Sequence, residues 1–265
     1  MARRTRTTHA PRRTGTRRSL SQNFLTDPAT AAFIVRLSKV GRDDLVVEPG
    51  PGRGILTRAL LRKCGRVDAY ELDGRYAARL SRLFGTDPRM RCMHQDFLTA
   101  HPPREPFSVV ANIPYSRTSA IVDWCLSAER LRSATLVTQW EFARKRTGDY
   151  GRWSRLTVLH WPRFDWRLEA RIDRHRFDPV PRVDSGVLRL VRRPTPLLTG
   201  AALADYRALV TRGFTGVGGD LFKSLRPMVP TRLLATGFRA AGISPRALVS
   251  EVRPDQWVDL VTAVR

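Results

Sequence analysis

From residue 44 to residue 139 short apolar runs alternate with stretches of helical period, and no other feature restricts the fold as much. DLVVE (44–48) reads as a strand, ILTRALLRKC (55–64) as a helix, RVDAYEL (66–72) as a strand. RYAARLSRLF (75–84) is a second helix with Tyr76, Leu80 and Leu83 on one side. RCMHQDF (91–97), FSVVAN (107–112) and ATLVTQ (134–139) are further strands, with the helix SAIVDWCLSAERL (119–131) between the last two. This alternation predicts an α/β fold: a mostly parallel sheet with helices on both faces. LTVLHWPRFDWRLEA (156–170) and SGVLRLVRR (185–193) are predicted as later strands, suited to an antiparallel edge. RPTPLLTG (193–200) is Pro-rich and reads as a linker. Beyond it helices are predicted over 201–213, 219–225, 230–241 and 254–264. The expected division is therefore an α/β domain over 19–193 and a small helical domain over 194–265.

Charge narrows the partners. Forty-seven basic residues stand against 24 acidic ones, a formal net charge of +23 in 265 residues. GC-rich coding would explain the preference for Arg over Lys but not the shortage of acids, so a nucleic acid is the expected partner. The charge also discourages self-association, and a monomer is expected. MARRTRTTHAPRRTGTRR (1–18) has seven arginines, no acid and almost no large apolar residue, and reads as a disordered basic arm. No apolar run approaches the ~20 residues needed to span a bilayer, and no secretory h-region is seen at the N-terminus. Three scattered cysteines, Cys64, Cys92 and Cys125, argue against a disulfide framework and for a reducing, cytoplasmic setting. The five histidines stand at no metal-ligand spacing with them, so no metal is expected.

The polar motifs fall at strand ends, where ligands of open α/β sheets lie. EPGPGRG (48–54) closes the first strand and opens a helix, and its glycines let the backbone approach a ligand. It resembles a nucleotide-cofactor loop, although its spacing is G-x-G-x-G rather than the dinucleotide G-x-G-x-x-G, with a mere tight turn as the bland alternative. Glu71 ends the second strand at the position of a ribose acceptor, weighed against a solvated strand-end acid. Asp96 ends the third, where it can accept from an adenine amino group with Phe97 against the ring, or simply cap a helix.

FSVVANIPYSRTS (107–119) poses the chemical question. The exocyclic amino group of adenine is a poor nucleophile because its lone pair is delocalised. The Asn112 side-chain oxygen and the Ile113 carbonyl can both accept its N–H bonds and draw the nitrogen towards tetrahedral geometry. Pro114 stiffens the turn, and Tyr115 offers a stacking face to an extruded base. In-line attack on a methyl carried by a sulfonium then needs positioning and two acceptors rather than a His or Cys. An Asn-initiated turn is the bland alternative. In FDPVPRVDS (177–185), Phe177 can cover the other face of the base or anchor its loop to the core. EFARKRTGDYGRWSR (141–155) sets Arg144, Lys145, Arg146, Arg152 and Arg155 around Tyr150 and Trp153, a mixture that suits an RNA backbone, with Arg117 beside the turn as a further cation. A solvated charged face is the alternative.

SQNFL (21–25), EPGPGRG, YELD (70–73), QDF (95–97), NIPY and FDPVPRVDS, in this order, resemble the rRNA adenine N6-methyltransferase family from Ser21 to Arg193. The resemblance implies a Rossmann-like, S-adenosylmethionine-dependent methyltransferase domain followed by an RNA-binding helical domain. It places Gln22, Asn23, Leu25, Gly50, Gly52, Glu71, Leu72, Asp96, Phe97 and Asn112 on S-adenosyl-L-methionine. Asn112, Tyr115 and Phe177 would serve the target adenine. NIPY, where the small-subunit (KsgA) type usually has NLPY, and QWEFARKRTGDYGRWSRLTVLHWP favour the Erm type. That type methylates 23S rRNA, naked or in an assembling large subunit, and confers macrolide–lincosamide–streptogramin B resistance. The alternatives are a KsgA-type dimethyltransferase, a non-catalytic RNA-binding assembly factor and, from the glycine turn and Glu71 alone, a nicotinamide-dependent oxidoreductase.

Overall fold

The structure, a computed structural model, describes residues 23–216 and 219–265. The basic arm expected over 1–18 and the contact expected for Gln22 lie outside the described residues.

Strands β1 (Phe24–Leu25), β2 (Leu45–Pro49), β3 (Arg66–Glu71), β4 (Met90–His94), β5 (Phe107–Asn112) and β6 (Leu131–Gln139) alternate with helices α1 (Pro28–Ser38), α2 (Ile55–Leu61), α3 (Gly74–Phe84) and α4 (Thr118–Ser127). Then follow α5 (Trp140–Thr147), α6 (Arg155–His160), β7 (Phe164–Ile172), β8 (Phe177–Asp178) and β9 (Ser185–Arg192). The main sheet runs β4-β3-β2-β5-β6-β9-β7. Its first five strands are parallel, and β9 and β7 join antiparallel at the far edge. The central strands β2, β5 and β6 are covered on both faces and read as apolar runs, whereas β4, at the sheet edge, exposes Arg91 and His94. Alternate residues serve the two cores. Val47, Val109 and Ala111 meet Ile121, Val122 and Leu126 of α4. Val46, Val67 and Val110 meet Ile34 of α1, Leu60 of α2 and Leu80 of α3. Each such buried aliphatic contributes about 1.5–3 kcal/mol over leaving it exposed.

The chain builds outward from β2 to β4, then crosses back to β5 on the other side of β2. The crevice of an open α/β sheet opens at such a reversal, beyond the carboxyl ends of the strands. Here those ends carry Gly50 and Asn112.

Three helices differ from the sequence expectation: α5 and α1 had no counterpart in it, and α6 replaces part of a predicted strand. Residues 156–170 are not one strand: α6 ends at His160, Pro162 follows, and only then does β7 begin. Ser154 caps α6 by accepting the Thr157 N–H at 3.3 Å, and the helix buries Val158 against the C-terminal helices. Helix α1 had no counterpart in the sequence reading. Asp27 starts it, accepting from Ala29 N at 2.9 Å and Thr30 N at 3.2 Å, with Pro28 at the first turn.

Helices α7 (Gly200–Thr215), α8 (Leu221–Leu225), α9 (Thr231–Ala240) and α10 (Pro254–Ala263) close around Trp257 and Tyr206, both fully buried. Helix α6 shares this cluster, and Tyr206 Oη donates to the Val158 carbonyl at 2.7 Å. No helix among the described residues is long and apolar enough to cross a membrane.

Candidate active site

Two cavities open side by side at the carboxyl ends of β2, β3 and β5. One is lined by Asn23, Leu25, Glu48, Gly50, Asn112 and Pro114, among others. The second is lined by Gly50, Glu71, Leu72, Asp96, Phe97, Pro114 and Arg117, among others. Gly50 and Pro114 belong to both, so the cavities are two chambers of one cleft.

The glycine turn shapes the dividing wall. Gly50 and Gly52 have φ of +63° and +54°, a region that excludes most side chains. A Cβ at Gly52 would come within 2.7 Å of the Phe24 ring, whereas at Gly50 it would meet nothing within 4 Å. Gly52 is therefore required for packing, and Gly50 leaves open room on the cleft side. Glu71, fully buried, holds the turn from below. Its carboxylate accepts from Gly52 N and from Asp73 N, both at 2.9 Å. Each oxygen keeps a further lone pair for a ligand hydroxyl.

Asn112 ends β5 and lines the first chamber, two residues before the shared Pro114. Its side-chain nitrogen donates to the Asn23 carbonyl at 2.8 Å, which leaves Oδ1 facing its own acceptor tasks. Ile113 N donates to the Val137 carbonyl at 3.4 Å, tying the following peptide to β6. The Tyr115 hydroxyl is bonded to Ser185 Oγ at 2.7 Å, so its ring is held from the first residue of β9. Burial pushes the Tyr115 phenol above its ordinary range, and the hydroxyl stays neutral at physiological pH.

The other chamber has an aromatic floor. Phe97 packs on Trp124 with centroids 4.3 Å apart and edge-on to Tyr70 at 5.8 Å. Leu72 is exposed on its rim. Asp96 accepts from Leu98 N at 3.0 Å, so the helix-capping alternative is realised, while Oδ2 points to Arg117 Nη2 at 2.9 Å.

Three expected RNA contacts are placed differently. Arg117 is not free for phosphate: it lines the chamber and is paired with Asp96. Arg144 lies over the Tyr150 ring at 3.6 Å and is ion-paired with Asp149 and Glu141. Arg146 lies over Phe142 at 4.8 Å, and burial lowers its pKa. In each case the guanidinium is already in contact with an acid or an aromatic face of the protein. Lys145, Arg152 and Arg155 are exposed. Phe177 also departs from the stacking expectation. It is 2 % exposed, faces Leu25 in the β1–β8 pair and packs in the core with Ile34 and Val187. No ring face is open to a base, and the anchoring reading describes it.

Glu48 was missed by the sequence reading, which took only the glycines from EPGPGRG. It lines the first chamber, is 1 % exposed, and its Oε2 has no hydrogen-bond partner among the described residues. Burial, with the nearby Glu71 charge acting the same way, pushes its carboxyl up to about 8. A buried acid with an unused oxygen is suited to receive a cation. The signal available in the sequence was its position as the last residue of an apolar strand.

Against known proteins, the chain matches the family model "Ribosomal RNA adenine dimethylase" over residues 13–265. It is 53% identical over 245 residues to an "rRNA adenine N-6-methyltransferase" of Aeromicrobium erythreum, covering 92% of this chain and 72% of that protein. The crystal structure of the 23S rRNA methyltransferase ErmE superposes with a TM-score of 0.88 at 49% identity, over 91% of this chain and 99% of that one. A "Ribosomal RNA small subunit methyltransferase A" of Bordetella pertussis is more distant, 34% identical over 94% of both chains.

Proposed function

The chain belongs to the ribosomal RNA adenine dimethylase family, and we propose that it methylates N6 of an adenine in 23S rRNA, using S-adenosyl-L-methionine. The observation that carries this reading is the two-chambered cleft meeting at Gly50 and Pro114, with Asn112 lining the first chamber two residues before Pro114. The 23S assignment is supported by the 49% identical 23S rRNA methyltransferase ErmE, against 34% identity to the small-subunit enzyme. The resistance to macrolides, lincosamides and streptogramin B that this modification brings is part of the same proposal.

The residues present fit the cofactor. Glu71 would take the ribose hydroxyls, Asp96 the adenine amino group, and Leu72 and Phe97 the faces of the ring. Glu48, with its unpartnered oxygen, Asn23 and Leu25 would line the amino-acid end. When bound, the cofactor supplies a methyl group on a sulfonium. The chain's own work is on the nucleophile. Asn112 Oδ1 and the Ile113 carbonyl accept the two N–H bonds of the target amino group and aim its lone pair along the line of transfer. Fixed acceptors of this kind need no reorganisation as positive charge develops on the nitrogen. Orientation of bound reactants supplies up to about 7–11 kcal/mol of barrier reduction. This accounts for chambers whose lining, among the described residues, contains no His or Cys. Tyr115, fixed by Ser185, would stack on the base; residues 194–265 would hold the surrounding RNA together with exposed Lys145, Arg152 and Arg155.

The test separates binding from chemistry. Tyr115→Ala should lower kcat/KM for the RNA at least about 5-fold, the lower end of one lost base stack, with the affinity for S-adenosylhomocysteine unchanged. Unchanged turnover would remove the stacking role. A parallel loss of cofactor affinity would mean that the ring shapes the cleft instead.

A further inference from the structure

A third cleft, of about 490 Å³, lies at the same end of the sheet, where α5 starts, β7 ends and β9 begins. Its walls include Trp140, Arg171, Arg174, Arg182, Val183 and Asp184. We propose that this cleft is the subsite for a nucleotide flanking the target adenine, with its base stacked on Trp140 and its phosphate held by Arg174 and Arg182. The inference rests on the RNA-methylation reading above.

The placement is the first argument. Trp140 N donates to the Asp184 carbonyl at 2.9 Å, and the next residue, Ser185, holds the Tyr115 hydroxyl. The two aromatic residues are thus fixed to adjacent residues at the start of one strand. A base lifted onto Tyr115 leaves its neighbours without a stacking partner, and a second aromatic close by replaces one.

The chemistry of the walls is the second. Trp140 is only partly buried and is not packed into any of the three apolar clusters of the described residues. Arg171 and Arg144 lie 5.4 and 5.8 Å from its ring centre, and Arg171 is itself held by Asp184, Nε to Oδ2 at 2.7 Å, so a base stacking on the indole displaces one of these guanidinium groups. The acids of the cleft are engaged. Asp184 takes Arg171 and the Arg174 main-chain N–H, Asp173 takes His175, and Glu141 accepts from the Tyr150 hydroxyl. Arg174 and Arg182 are exposed and form no ion pair among the described residues. Val183, 40 % exposed, adds an apolar edge beside them. An indole face beside two exposed guanidinium groups that form no ion pair among the described residues suits a base with its phosphate.

The test uses the full-length protein and a 23S rRNA hairpin containing the target adenine, with 2-aminopurine placed on either side of it in turn. On binding the wild-type protein, one of the two probes should change in fluorescence, and Trp140→Ala should abolish that change. The same variant should lose at least about 5-fold in kcat/KM for the hairpin, with Trp140→Phe restoring most of it and S-adenosylhomocysteine affinity unaltered. Arg174→Glu with Arg182→Glu, at exposed positions where folding is not at risk, should weaken hairpin binding and make its salt dependence shallower. If neither probe distinguishes wild type from Trp140→Ala, or the double Arg variant binds hairpin as tightly as wild type, the subsite is wrong. Failure of the methylation reading would show separately, as a wild-type protein that transfers no methyl group, and the probe signal would still decide whether the cleft binds RNA.

Discussion

Glu48 is enclosed beneath the glycine turn with an unpartnered oxygen, and burial pushes its carboxyl from an ordinary 4.5 to about 8. The folded chain therefore keeps a proton that the unfolded chain releases above about pH 4.5. Stability should fall as pH rises from about 4.5 towards 8, by up to about 1.4 kcal/mol per pH unit, and flatten above that range. Denaturant unfolding of wild type and Glu48→Gln between pH 5.5 and 7.5 tests this. The wild-type slope should be steeper by that amount, and parallel slopes would mean that Glu48 is ionised in the fold. At this scale the sequence was legible where a residue type and its strand-end position were enough: Gly50, Glu71, Asp96 and Asn112 all meet at the cleft. It was not legible where the partner is distant in the chain. Nothing near Arg117 shows that its guanidinium turns to Asp96, 21 residues earlier. Nothing in FDPVPRVDS shows that Phe177 pairs with Leu25, 152 residues earlier, and is enclosed by α1.

At the scale of elements, the central strands β2, β5 and β6 were readable because both their faces are buried and their apolar runs are nearly unbroken. Helix α6 was not. LTVLHW offers β-branched and apolar residues that suit a strand, and its helical state is set by the Ser154 cap and by packing on α7. Such tertiary decisions override local propensity. Helix α1 did have a local signature, Asp27 followed by Pro28, ahead of a stretch too uniformly apolar to show a period. The α6–α7 contact makes its own prediction. Tyr206→Phe removes one of two hydrogen bonds to the Val158 carbonyl, which keeps the Trp161 N–H at 3.2 Å, and the loss of one such bond costs about 0.5–1.5 kcal/mol. Thermal or denaturant unfolding should show a loss in that range. A change under about 0.5 kcal/mol would show that water replaces the hydroxyl and that the α6–α7 junction is looser than its packing indicates.

For the whole molecule, a net charge of +23 and a cleft at the carboxyl edge of the sheet belong to one account, in which positive charge brings RNA to the site. Binding to 23S fragments should therefore weaken steeply with salt, log affinity against log salt falling by about 0.7–0.9 for each phosphate contacted. A flat response would mean that charge has no part in recognition. Composition announced the polyanion, but it did not distinguish cations free for RNA from those, such as Arg144, already used inside the protein. The most direct measurement of the central claim is transfer of labelled methyl from S-adenosylmethionine to separate samples of unmethylated 23S rRNA, 16S rRNA and small-subunit particles, with the modified nucleotide mapped. The account predicts label on N6 of an adenine in the 23S peptidyl-transferase loop. Label in small-subunit RNA instead, or RNA bound without any label, would contradict it.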